Sequence, residues 1–129
     1  MIKGFMKKVL ILILFFNISN ALASDEFVTN FNLEKFNEAQ KNGKAVVVYS
    51  WNKYCVTCNK QKPILKQAKS DFSNLLFFYI EHVKNKDIVK ELDITFWSTI
   101  AIYKNKKQIA KAVGVVDKDE IYSLINKGI

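Results

Sequence analysis

Arginine is absent from this chain of 129 residues, proline and histidine occur once each, and there are four glycines and two cysteines. Each scarcity excludes something. With so little proline and glycine, no linker rich in them divides the chain, and there is no internal repeat or low-complexity tract, so one small domain is expected. Two cysteines and the distant His82 fall short of the four ligands that a structural zinc site needs. The apolar run from Val9 to Phe16 is eight residues long, whereas a membrane-spanning helix needs about 20. All 20 basic residues are lysines, scattered instead of massed in one block and without stacking aromatics between them. That pattern describes a solvated surface and gives no support to nucleic-acid binding.

The first residues carry Lys3, Lys7 and Lys8 without an acid, then the apolar run, then Asn17 and the small-residue stretch Ala21-Leu22-Ala23. That order predicts a secretory signal peptide over residues 1–23, cleaved after Ala23, and hence a periplasmic location. With no cysteine near the expected cleavage site, nothing there could carry a lipoprotein anchor, and contact with the membrane is expected only before cleavage. The domain is then expected over residues 24–129, large enough for one hydrophobic core. Removing the three signal lysines leaves seventeen against twelve acids, which supports at most a weak preference for acidic partners or membrane surfaces.

Within the domain, Phe31 to Lys41 places Phe31, Leu33, Phe36 and Ala39 on one helical face, and Asn42-Gly43 supplies a stop. Ala45 to Tyr49 is an apolar, β-branched run without polar alternation, the pattern of a strand covered on both faces. Residues 58–70 predict a helix, with a kink at Pro63. Leu75 to Ile80, Thr99 to Tyr103 and Gln108 to Val113 predict three more strands, the last two joined by a turn over residues 104–107. A short helix is expected at residues 86–92, and a final one at residues 117–126 with Asp117 as N-cap and Glu120 three residues on. The order αβαβαββα predicts an α/β fold, a central mixed sheet of about four strands with helices on both faces.

Between the first strand and the second helix stands Trp51-Asn52-Lys53-Tyr54-Cys55-Val56-Thr57-Cys58. A helix that begins near Cys55 offers its sulfur unsatisfied backbone N–H groups and the positive end of the dipole, both of which favour thiolate over thiol. Cys55 is therefore the expected nucleophile, with a pKa below that of an ordinary thiol. Cys58, one turn on and on the same side, is the expected resolving residue, able to attack a mixed disulfide formed by Cys55. Half of a metal site and an inert disulfide are the competing readings. Glu81 and His82 follow the second strand and could approach the edge of the site, but a solvated strand end is the favoured reading.

The segment from Val46 to Leu65, VVVYSWNKYCVTCNKQKPIL, resembles the active-site region of the thioredoxin family, with Trp51 four before the first cysteine and Pro63 five after the second. Ser98 to Asn105 and Lys111 to Val115 resemble that family's last hairpin and the glycine-bearing loop beside its active site. The resemblance implies a thiol-disulfide oxidoreductase that acts on protein thiols and disulfides together with a redox partner protein, needs no organic cofactor and works as a monomer. It further implies that partner polypeptides dock across Trp51, Tyr54, the loop of Trp97, Ser98 and Thr99, and the loop around Gly114.

Two positions depart from the family pattern. Ser98 stands where a cis-proline is usual, and a non-proline cis bond costs about 2.5 to 4 kcal/mol, so a trans Trp97-Ser98 bond and a differently shaped loop are expected. Because that proline also shields the cysteines from metals, Ser98 keeps open a second reading, a periplasmic protein that binds or delivers Cu(I) through the two thiolates. Tyr49 stands six before the first cysteine, where reductases of the family commonly bury an acid. A third reading is a non-catalytic interaction module on the same scaffold.

Overall fold

The computed structural model describes residues 27–129; the expected signal peptide lies outside them. The elements are α1 (Leu33–Lys41), β1 (Val46–Trp51), α2 (Val56–Asp71), β2 (Leu76–Glu81), a 3-10 turn (His82–Lys84), α3 (Lys86–Glu91), β3 (Thr99–Lys104), β4 (Lys107–Val113) and α4 (Lys118–Asn126). The strands form one sheet in the order β2-β1-β3-β4, with β1 parallel to β2 and antiparallel to β3, and β3 antiparallel to β4.

All six residues of β1 are buried, as its unbroken apolar run requires of a strand covered on both faces. Alternation along the strand divides the core in two. Val47, Tyr49 and Trp51 face α2 and α4 and pack with Leu65, Ile121 and Ile125. Val46 and Val48 face α1 and α3 and pack with Phe36, Val89 and Leu92. Each fully buried valine contributes about 1.5 to 3 kcal/mol through removal of apolar surface from water. The β3–β4 connection is a two-residue turn in which Asn105 and Lys106 both have positive φ, 52° and 64°, the geometry that matches the twist of a hairpin.

The sheet's two margins differ. Along the outer side of β2, the Tyr79 N–H donates to Asn30 Oδ1, the Asn30 N–H donates to the Tyr79 carbonyl, and the Glu81 N–H donates to Thr29 Oγ1. Along β4, exposed and half-buried residues alternate and Lys107 and Lys111 lie on the exposed set.

Two local expectations are corrected. α1 begins at Leu33, capped by Asn32, whose side chain accepts from the Lys35 N–H; this leaves Leu33 exposed and turns Gln40 inward beside Phe36 and Ala39. α2 begins at Val56, two residues before the expected start. It continues through Pro63 as one element, with Gln61, Leu65 and Ala68 buried on either side of the proline.

Candidate active site

Cys55 and Cys58 are joined as a disulfide, with their Cα atoms 5.2 Å apart. Cys55 is the N-cap of α2 in extended conformation, and its Sγ accepts the Cys58 backbone N–H at 3.0 Å. The sulfur thus meets one of the donors that every helix leaves unsatisfied at its start. The two cysteines differ in access: Cys55 keeps 8% of its surface open, Cys58 none. Beside Cys55 lie Tyr54, 86% exposed, and Val56, also exposed.

The phenol of Tyr49 lies behind the pair and donates to the Cys58 carbonyl oxygen. Burial pushes its pKa well above the ordinary tyrosine value, so the group stays a neutral donor. Trp51 is buried, with the Lys62 ammonium 4.1 Å from its ring centroid, a cation–π contact. Its indole N–H has no hydrogen-bond partner among the described residues.

Among the residues proposed from sequence for partner docking, Tyr54 and Trp97 are exposed, whereas Trp51, Ser98 and Thr99 lie beneath the surface. Thr99 opens β3 and its hydroxyl donates to the Phe96 carbonyl. Among the described residues there is no cis peptide bond, so the Trp97-Ser98 bond is trans, and Ser98 takes a left-handed conformation with φ 56°. Gly114, φ 74°, donates its N–H to the Ser98 carbonyl at 2.9 Å, bringing the two loops together.

Several neighbours of the site gave little signal in the sequence. Phe96 and Val116 add exposed apolar surface to the loops. Gln61 is fully buried and bonds to both loops. His82 Nδ1 lies 2.7 Å from Ser50 Oγ, and its ring meets Trp97 edge to face, so the β2 exit that read as a solvated end touches a candidate docking residue. Burial lowers the His82 pKa. Among the described residues no three of His, Cys, Asp and Glu cluster as a metal site would require.

Comparison with known proteins agrees with this geometry. The Thioredoxin family profile matches residues 27–127. A thioredoxin of Mycoplasma genitalium is 30% identical over 94 residues, 73% of this chain and 89% of its own length. One of Coprinus comatus is 26% identical over 100 residues, 76% of this chain and 93% of its own. In three dimensions, Fasciola hepatica thioredoxin superposes with a TM-score of 0.67 at 19% identity, covering 75% of this chain and 91% of that one, a likeness of fold. The same four-stranded sheet, the matched profile and a cysteine pair at disulfide distance on the first turn of α2 lead to one conclusion: the chain belongs to the thioredoxin family, as a thioredoxin-like thiol-disulfide oxidoreductase.

Proposed function

We propose that the protein is exported to the periplasm and exchanges disulfides with protein substrates and a redox partner protein, with Cys55 as nucleophile and Cys58 as resolving residue. The observation that carries the roles is the unequal access of the two sulfurs, one capping α2 with an opening to solvent and the other sealed beneath it. An attacking sulfur has to reach a disulfide in another molecule; a resolving sulfur has only to reach its neighbour.

In the reducing direction, the Cys55 thiolate attacks one sulfur of a substrate disulfide. The substrate S–S bond breaks and its second sulfur leaves as a thiolate, protonated by water. Cys58 then loses its proton and attacks Cys55 Sγ, which expels the first substrate sulfur as a thiolate and closes the Cys55–Cys58 disulfide. Two electrons pass from the pair to the substrate, and the same steps reversed oxidise a dithiol. Tyr49, held neutral by burial, is unsuited to take the Cys58 proton, which passes to water or another group.

Docking is assigned to Tyr54, next to Cys55 in the chain, and to Trp97 and the loop around Gly114, which present exposed apolar side chains. Export rests on Lys3, Lys7, Lys8, the following apolar run and Ala21-Leu22-Ala23.

The test is a Cys58→Ser variant expressed from the full chain. Partners are expected to accumulate as mixed disulfides on Cys55, on a product that starts at Ser24. A variant that captures no disulfide-bonded protein would point to a scaffold, and stoichiometric Cu(I) held by the reduced wild type and lost on oxidation would point to metal delivery. The equilibrium reduction potential against glutathione fixes the favoured direction, about 30 mV corresponding to 1.4 kcal/mol.

A further inference from the structure

Gln61 lies three residues after Cys58, on the stripe of α2 that also carries Leu65 and Ala68 into the core. A carboxamide without exposed surface at such a position costs desolvation energy that only hydrogen bonds offset. Its Nε2 makes two, to the Ser98 carbonyl at 3.1 Å and to the Val115 carbonyl at 2.9 Å. Among the described residues the buried Oε1 atom has no partner, so the donor end of the side chain is the end in use.

The two acceptors belong to different loops. Ser98 precedes β3, held in a left-handed conformation where the family usually has proline, and Val115 follows β4. On one loop Phe96 and Trp97 are exposed, and on the other Val113 and Val116. One amide group thus ties both sides of the apolar surface to the helix that bears the cysteines.

We propose that Gln61 is a positioning residue that fastens the two loops beside the cysteine pair to α2 and thereby sets how tightly a protein disulfide docks. This rests on the reading that protein disulfides are the substrates. The requirement is specific. Leucine fills similar space without donors, and ionised glutamate keeps the shape but presents oxygen to two carbonyl oxygens. Cys55 Sγ does not touch Gln61 through any hydrogen bond, so a disulfide small enough to meet the sulfur alone does not sense the loops.

The experiment compares wild type, Gln61→Leu and Gln61→Glu, each expressed from the full chain and reduced, in single-turnover reactions followed by tryptophan fluorescence. Insulin serves as protein disulfide and oxidised glutathione as the small one. For the leucine variant at neutral pH, and for the glutamate variant at a pH high enough to ionise its buried carboxyl, the half-saturating insulin concentration is expected to rise about tenfold, with the limiting rate and the glutathione rate unchanged. Lowering the pH protonates the introduced glutamate and restores one donor, so its half-saturation should return toward wild type while the leucine variant stays weak. Parallel losses on both disulfides, or unchanged insulin docking, would overturn the proposal. Should the leucine variant not fold, the pH response of the glutamate variant decides, and a flat response refutes the idea. In wild type the Gln61 carboxamide protons should exchange slowly by NMR; exchange at the rate of a free amide also refutes it. A wild type inert toward both disulfides would instead remove the redox reading beneath it.

Discussion

The Tyr49 phenol donates a hydrogen bond of 3.3 Å to the carbonyl oxygen of Cys58, joining the central strand to the first turn of the helix that bears the cysteines. Tyrosine here steadies the helix start and does not handle protons. Tyr49→Phe should therefore leave the rate of disulfide exchange within about twofold of wild type and cost about 0.5 to 1.5 kcal/mol of stability, the net value of one such bond. Urea denaturation and single-turnover kinetics on the same preparation check both halves.

Ser98 carries a left-handed backbone that costs a side-chain-bearing residue about 1 to 2 kcal/mol. Ser98→Gly should remove part of that cost and raise stability by up to about 1 kcal/mol. Ser98→Pro should destabilise by more than about 1 kcal/mol, because the ring fixes φ near −65° and the loop is built around a positive value. Thermal melts of the two variants are expected on opposite sides of wild type.

Gln40 shows what full use of a buried amide looks like. Its Nε2 donates to the Lys44 and Tyr103 carbonyls and its Oε1 accepts the Lys106 N–H, binding α1 to the β3–β4 hairpin. Gln40→Leu should cost about 1 to 3 kcal/mol by leaving buried groups unpaired, and should not alter the rate with a small disulfide, since the hairpin turn lies away from the cysteines. Chemical denaturation and a glutathione exchange assay measure the two.

Stability should fall at both ends of the pH scale. His82 has a lowered folded pKa, so it is neutral in both states above its unfolded value near 6.5; as the pH falls below that, the unfolded chain takes up the proton more readily and stability drops. Tyr49 and Tyr103 have raised folded pKa values, Tyr103 pushed up to about 12 chiefly by burial, so stability is full below the unfolded value near 10 and is lost as the pH rises past it. Melting temperature against pH should show a plateau between these limits, and His82→Asn should flatten its acid side.

What could be read from the residues beforehand was whatever depends on local pattern. The valines of β1, the apolar runs of β2 and β3 and the Asp117 cap, whose Oδ1 accepts the Glu120 N–H at 2.9 Å, each follow from neighbours in the chain. Cys55 as helix cap belongs with them, because two residue types at a fixed spacing mark the junction. Gln40 and Gln61 gave no such signal: glutamine is ordinarily a surface residue, and the carbonyls that justify its burial lie up to 63 residues away. Leu33 misled for the opposite reason. Its apolar character suggests an inward face, but as the first helical residue after the Asn32 cap it is exposed.

The uneven treatment of the sheet's margins has a consequence for assembly. Thr29 and Asn30 occupy the outer backbone of β2, so another chain cannot extend the sheet there without displacing them. The rim at β4 has no such cover among the described residues; Lys107 is exposed there, and Lys111 donates to the Asp93 carbonyl and pairs with the Asp93 carboxylate. Exposed lysine charge on that rim opposes fibre-like growth, and concentrated salt, which screens such charge, is the condition that would weaken the barrier.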